Sequence, residues 1–394
     1  MVEWFDRARK SIAQGGLTNS KWPESYIRGV YPTHIKSGNG CHLYDTNDIK
    51  YIDFICGLGS NLFGYGNDHI SREILRNLYN GANHSLPTVY EVEAAEKLKE
   101  LFPFVERVKW LKTGSDACNA AVKFARAYTG RDIIVSEGYH GWGDDFISMT
   151  PPAKGVPERS WMYKEADLEN AAAVIVEPVI IDDSRERIDW LRQLREDCTE
   201  AGALLIFDEV ITGMRYENYG VSNFYGIKPD LICLGKAIGG GLSLACVAGR
   251  SDVLDDKEVF VSSTYAGETW PLIAGKKAME LTQKNSDYNI GYLVEKGKEF
   301  TTEFNNLKGI QITGYGTRGT LTGTIEERAL FCQEMAKAKV LFHPSTWFFN
   351  FPLIDVMDDV LNLVKGVKDK IASGQCRLEY PLPESPFSAK VRKQ

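Results

Sequence analysis

No run of this 394-residue chain reaches the roughly 18–20 consecutive apolar residues that span a bilayer. Nothing in it therefore points to a membrane helix. The amino terminus, Met1-Val2-Glu3-Trp4-Phe5-Asp6-Arg7, lacks a long apolar core and a small-residue cleavage site, so it does not read as a signal peptide. The eight cysteines are scattered and form no C-x-x-C pair, and the six histidines show no metal-ligand spacing. A disulfide framework and a structural metal are both unexpected. Basic residues are in deficit, with a net charge of -7, and no Lys/Arg cluster offers a nucleic-acid surface. These absences lead to the expectation of a cytoplasmic protein with several cysteines reduced inside its core.

The positive signals are apolar runs that end in charge. Leu204-Leu205-Ile206-Phe207-Asp208-Glu209-Val210 is one, and Asp230-Leu231-Ile232-Cys233-Leu234-Gly235-Lys236 is the next. Short apolar runs bounded by turn residues read as buried parallel strands. Neighbouring strands would then deliver a carboxylate and an amine to one place. An amine can form a Schiff base with a carbonyl cofactor, and a carboxylate can hold the proton of a pyridine nitrogen. That combination matches the needs of a pyridoxal phosphate site, with Lys236 and Asp208 as its catalytic residues.

Asp-Glu after an apolar strand also resembles the Walker B segment of nucleoside triphosphatases. That reading requires a loop ending in Gly-Lys-Ser/Thr. The chain has Gly235-Lys236-Ala237, without the hydroxyl and without the leading glycine at the required spacing.

Further polar residues stand at the expected strand ends. Thr113-Gly114-Ser115-Asp116-Ala117 opens a helix, and free amides there with a hydroxyl make a phosphate seat. Ser115 reads equally well as a plain helix cap. Gly138-Tyr139-His140-Gly141 follows a strand, and Tyr139 could stack on a flat ring. His140 reads as a loop histidine in preference to a catalytic acid. Glu177, at the end of Ala173–Glu177, faces the same edge as Asp208 and Lys236. Ligands of open α/β sheets bind at that edge.

The pattern over the whole chain is α/β. Strands are expected at Val108–Leu111, Ile133–Ser136, Ala173–Glu177 and Leu244–Ala248, besides the two named above. Helices are expected at 68–79, 88–101, 115–128, 187–201 and 271–284, with a weak helical pattern at 2–13. After about 290 the style changes to strands at Ile310–Thr313 and Thr320–Thr324 and helices at 326–338 and 357–372. The expectation is a large domain over 56–288 with a mostly parallel seven-stranded sheet. A smaller α+β domain follows over 289–394, and segment 1–55 packs with it. The tail 380–394 is expected to be loose or docked on the surface.

These motifs resemble the class III aminotransferases, within them the glutamate-1-semialdehyde 2,1-aminomutase-like branch, of pyridoxal phosphate fold type I. The resemblance is carried by Leu205–Arg215, Leu234–Gly241, Ala125–Asp132 and Ala173–Val179. It implies an aminotransferase with a ping-pong mechanism. Lys236 would form the internal aldimine and shuttle protons, and Asp208 would pair with the pyridine nitrogen. Val210 and Tyr139 would cover the two ring faces, Gly114 and Ser115 would bind the phosphate, and Glu177 would be an active-site glutamate. Thr264 matches a threonine that reaches the phosphate of the neighbouring subunit, which implies a homodimer with shared sites. Arg28 lies where an aminomutase arginine holds the substrate carboxylate. Asn61, Glu268 and His343 are the remaining substrate-side candidates. The chain departs from the aminomutases in having Gly57-Leu58-Gly59-Ser60-Asn61 for their Ser-Trp-Gly-Pro, and Ala266-Gly267-Glu268-Thr269 for their Ser-Gly-Asn-Pro. An aminomutase, or another pyridoxal phosphate reaction such as decarboxylation or epimerisation, is the alternative.

Overall fold

A computed structural model describes residues 2–147, 156, 162–163, 167–283 and 286–383. Most of the expected tail segment lies outside these residues. Among them, no helix is long and apolar enough to cross a membrane.

The chain forms two compact units. One comprises Asp68–Tyr292 and the other Met1–Asn67 with Leu293–Gln394. The sequence suggested breaks at 55/56 and 288/289, whereas contacts place them at 67/68 and 292/293. Residues 56–67 stay with the first segment because its polar groups hold them. Tyr65 donates its hydroxyl to buried Asp53 at 2.6 Å, and Tyr65 and Gly40 exchange backbone hydrogen bonds.

The Asp68–Tyr292 unit is built on a seven-stranded sheet. Its strands, in chain order, are β1 Arg107–Leu111, β2 Ile133–Glu137, β3 Met162–Tyr163, β4 Ala171–Val176, β5 Leu204–Asp208, β6 Leu231–Leu234 and β7 Ala245–Gly249. Their spatial order is β1-β7-β6-β5-β4-β2-β3. Only β7 runs against its neighbours; the other pairings are parallel. Every residue of β4, β5, β6 and β7 is buried, as expected for strands covered on both faces. Because β7 is antiparallel to both β1 and β6, those two strands run the same way. The carboxyl ends of β1, β2, β4, β5 and β6 therefore share one edge of the sheet.

Five longer helices support this sheet and its loops: α1 Asp68–Arg76, α2 Val89–Leu101, α3 Gly114–Thr129, α4 Arg185–Ala201 and α5 Thr269–Leu281. Helix α3 packs on the sheet through Ala117, Ala120, Ala121, Phe124 and Ala125, small residues that let its axis come close. Burying Phe124 alone contributes roughly 2–3 kcal/mol. Gly130 and Gly202 end α3 and α4 in the left-handed conformation, satisfying the last carbonyls.

The other unit carries a four-stranded sheet of Ile35–Asn39, His42–Asp45, Lys50–Asp53 and Val340–Leu341, and a three-stranded one of Ile312–Gly314, Arg318–Leu321 and Trp347–Phe348. Helices Ile325–Lys337 and Met357–Ala372 match the sequence reading. Helix Ile290–Asn306 was not expected. Its apolar face, Leu293, Val294, Phe300 and Phe304, is fully periodic and buried. Gly297 disguises it, since a mid-helix glycine weakens the helical signal. The glycine is needed for packing: a Cβ there would lie 2.1 Å from the Gly316 carbonyl oxygen.

Candidate active site

Asp208 is the last residue of β5 and is buried. Its Oδ2 accepts hydrogen bonds from His140 Nδ1 at 2.7 Å and from the Cys118 thiol at 3.3 Å. Its Oδ1 accepts from the Val210 amide at 3.0 Å. His140 is buried too, and its Nε2 lies 3.1 Å from the Glu137 carbonyl oxygen. Both ring nitrogens thus face acceptors, so both carry protons. Burial, the largest single influence, pushes the imidazole's pKa down, but the hydrogen bonds to Asp208 and Cys118 and the charge of Asp208 together outweigh it and raise the pKa to about 10. For Asp208, burial acts upward; the hydrogen bond and charge of His140, the Val210 amide and the charge of Lys236 prevail and lower the pKa. The carboxylate stays ionised at neutral pH.

Ligand atoms of Cys118, His140 and Asp208 lie within 4.8 Å of one another, a spacing that admits a metal ion. A ring that donates from both nitrogens has no lone pair to give one. The cluster is a hydrogen-bonded carboxylate anchor.

Lys236 lies just after β6, half-buried, with φ at 47°. A lysine in this left-handed region is strained, and such strain gathers at functional sites. Its charge is among the influences that lower the Asp208 pKa, which places amine and carboxylate in one electrostatic field.

The phosphate turn follows β1. Thr113, not Ser115, caps α3: its hydroxyl accepts from the Asp116 amide at 3.2 Å while the Asp116 carboxylate accepts from the Thr113 amide at 2.9 Å. The plain capping role of Ser115 is thereby excluded. Gly114 and Ser115 occupy the first two helical positions, where amides have no helical acceptor. The Ser115 hydroxyl accepts from the Trp142 amide at 3.3 Å, linking this turn to the loop of Tyr139 and His140. A Cβ on Gly114 would lie 2.7 and 2.9 Å from the two γ-carbons of Val210. The site needs glycine there because the helix start and Val210 are in contact.

Glu177 is buried and its Oε1 accepts from the Tyr139 amide at 2.8 Å. It holds the backbone of the aromatic residue. Tyr139 itself is 45% exposed. Arg187 braces this part of the edge. It donates to both Glu137 carboxylate oxygens at 3.0 Å, to the Glu177 carbonyl at 2.9 Å and to the Pro178 carbonyl at 3.0 Å.

Lys236, Asp208, Gly114, Ser115, Tyr139, Glu177 and Val210 therefore all sit along one sheet edge of one unit. Thr264 lies in the same unit, exposed on a turn just before α5. Glu268 does not present a free carboxylate: it pairs with Lys112 at 2.7 Å. Arg28, Asn61 and His343 belong to the other unit. There the Arg28 guanidinium lies 5.2 Å above the Phe5 ring and lines a cavity of about 540 Å³ with Arg9, Tyr31 and Tyr380. The Asn61 carbonyl accepts from the Asn350 side chain at 3.1 Å. His343 is buried against Tyr26, its Nδ1 accepts from the Ser345 amide at 3.0 Å, and burial pushes its pKa down to about 4. A neutral ring so enclosed is a poor match for the substrate-side role expected of it.

Sequence reasoning took His140 for a plain loop histidine, whereas it is the buried partner of Asp208, and it gave no site role to Cys118, Arg187 or Lys112. The one available signal was the adjacency of His140 to Tyr139 at the end of β2.

The family model described as "Aminotransferase class-III" matches residues 26–160 and 158–324. The chain is 34% identical over 312 residues to a glutamate-1-semialdehyde 2,1-aminomutase from Desulfotalea psychrophila, covering 71% of this chain and 72% of that protein. It is 31% identical over 322 residues to a 3-aminobutyryl-CoA aminotransferase from Cloacimonas acidaminovorans, covering 76% of each. Among solved structures it is similar to the pyridoxal phosphate internal aldimine form of the FumI protein from Sphingopyxis sp. MTA144. That match has a TM-score of 0.88, 21% identity, and coverage of 97% of this chain and 98% of that one. The chain belongs to the class III aminotransferases, enzymes that depend on pyridoxal phosphate.

Proposed function

We propose that this enzyme is a transaminase working by a ping-pong mechanism. In it, Lys236 carries the cofactor and then moves the substrate proton. The observation that carries the reading is the buried Asp208 kept ionised by a protonated His140, at the edge where Lys236 emerges. Bound pyridoxal phosphate supplies an electron sink through its protonated ring nitrogen. Asp208 keeps the proton on that nitrogen. The Lys236 amine would serve as general base and acid, holding and returning the substrate's proton. The amides of Gly114 and Ser115, at the positive end of α3, hold the phosphate. Val210 and Tyr139 would cover the two ring faces, and Glu177 holds the Tyr139 backbone.

The same reading assigns a homodimer in which Thr264 reaches the partner's phosphate. It is supported by the large apolar side chains this unit exposes: Tyr79 at 96%, Phe260 at 78%, Leu86 at 77% and Trp142 at 73%. Large apolar side chains left to solvent in this way are accounted for if a second copy of the chain covers them. Eight cysteines without disulfides, seven of them buried, support a cytoplasmic location. Arg28 and Asn61 are retained for the substrate side.

The second reading, an intramolecular aminomutase, is favoured by the names of the relatives at 34% and 35% identity. Mixing the cofactor-loaded enzyme with L-glutamate separates the two. Stoichiometric 2-oxoglutarate with no added acceptor supports the transaminase. Bound glutamate with no keto acid released contradicts glutamate as donor and favours the aminomutase.

A further inference from the structure

Lys112 and Glu268 lie 156 positions apart and form an ion pair at 2.7 Å, with side chains 17% and 27% exposed. Fully exposed pairs contribute little, but this one is largely screened from solvent. Its two ends have distinct addresses. Lys112 directly precedes Thr113, the cap of α3, and its carbonyl accepts from the Ser243 hydroxyl at 2.7 Å. Glu268 caps α5 and closes the turn that bears Thr264, in which the Ala266 amide donates to Ser263 and the Glu268 amide to Tyr265. That turn is seated on α2, where a Cβ on Gly267 would lie 2.9 Å from Glu91 Oε1.

We propose that Lys112 and Glu268 are a positioning pair that fixes the phosphate seat. The pair ties the start of α3, which seats this subunit's own phosphate, to the turn of Thr264, which the homodimer reading gives to the partner's phosphate, so each seat is braced from both subunits. Glu268 then acts through Lys112 and does not touch the substrate. This inference rests on the pyridoxal phosphate reading, because the seat it organises is the one assigned there. The pair has a second consequence. The carboxylate neutralises an ammonium that stands beside the seat, so the phosphate is held by amides and hydroxyls and not by Lys112.

The test is reconstitution of the full-length apo-protein with pyridoxal phosphate, followed by the visible absorbance of the lysine-bound cofactor. Wild-type reconstitution reports the pyridoxal phosphate reading by itself; absence of the band there overturns that reading and this inference with it. With the band present, Glu268→Gln and Lys112→Met should each weaken cofactor binding about tenfold, as expected for breaking a largely buried pair. The double variant should be no weaker than either single one, and Glu268→Asp should recover most of the affinity. The KM for the amino donor at saturating cofactor should change less than about twofold. Unfolding midpoints of the apo-proteins separate this effect from a general loss of stability: an apo-state midpoint that falls in step with the affinity contradicts a positioning role. Tighter cofactor binding in Glu268→Gln would overturn the inference, since it would make Lys112 a phosphate ligand restrained by the carboxylate. A raised donor KM in Glu268→Gln alone would also overturn it, placing Glu268 on the substrate.

Discussion

His140 Nδ1 donates to Asp208 Oδ2 at 2.7 Å, and neither side chain meets solvent appreciably. Each group keeps the other charged against burial. Asp208 holds its proton affinity low, and His140 is raised to about 10. Removing the imidazole leaves a buried carboxylate without its cation, which costs about 3–5 kcal/mol. His140→Ala should therefore lower the unfolding midpoint and raise the Asp208 pKa. The rate profile checks this: its acidic limb should move to higher pH in the variant, whereas an unmoved limb with lower stability would leave His140 a packing residue.

The same pair fixes a pH dependence of stability. His140 has a folded pKa above its ordinary value, so its contribution is fully present below about 6.5 and is lost as pH rises through about 10. Asp208 has a lowered pKa, so its contribution is present above the ordinary carboxylate range and is lost as pH falls through its folded value. The apo-protein should lose stability from about pH 6.5 to about pH 10 more steeply than His140→Ala does. Parallel curves for the two proteins over that window would contradict the assignment.

Asp208→Asn keeps the shape but removes the charge. Loss of the pyridinium partner should reduce kcat/KM on the order of 10²–10³-fold, the range typical of losing one preorganised electrostatic group. Single-turnover kinetics should place the loss in proton abstraction. A loss confined to donor KM would show that Asp208 serves binding instead.

Gly114→Ala forces a Cβ into the γ-carbons of Val210. Overpacking of this kind costs about 1–3 kcal/mol, equivalent to roughly 5–150-fold in cofactor affinity when the seat must shift. Equilibrium titration with pyridoxal phosphate measures it. Gly130→Ala, at the other end of the same helix with nothing within 4 Å, should leave cofactor affinity near wild type.

Shared sites predict complementation. Lys236→Ala and Thr264→Ala should each be impaired alone. In a random mixture of refolded subunits about half the dimers are hybrids, and each hybrid holds one intact site, so about a quarter of wild-type activity should return. No gain on mixing, with dimers present by sedimentation, would show that Thr264 serves the phosphate of its own chain or none.

The sheet edge was legible because buried parallel strands are continuous apolar runs, and a charged residue at such a run's end stands out. Asp208, Glu177 and Lys236 were found this way. His140 was not, because a loop histidine has no periodicity and its partner lies 68 positions away. The sequence left Ser115 open between phosphate binding and a plain cap, since Thr113 and Ser115 both carry hydroxyls and only the reciprocal Asp116 bonds give the cap to Thr113. Helix Ile290–Asn306 was hidden by the glycine that its packing requires. The ion pair of Glu268 needed three dimensions, because nothing in Ala266-Gly267-Glu268-Thr269 names Lys112.

The most direct test of the account is the visible spectrum of wild-type and Lys236→Ala protein titrated with pyridoxal phosphate and then treated with borohydride. The account predicts a yellow band in the wild type that borohydride fixes as a peptide-bound adduct at Lys236. It predicts a free-aldehyde spectrum and no adduct in the variant. A band and adduct that persist in Lys236→Ala would contradict the assignment of Lys236 as the residue that carries the cofactor.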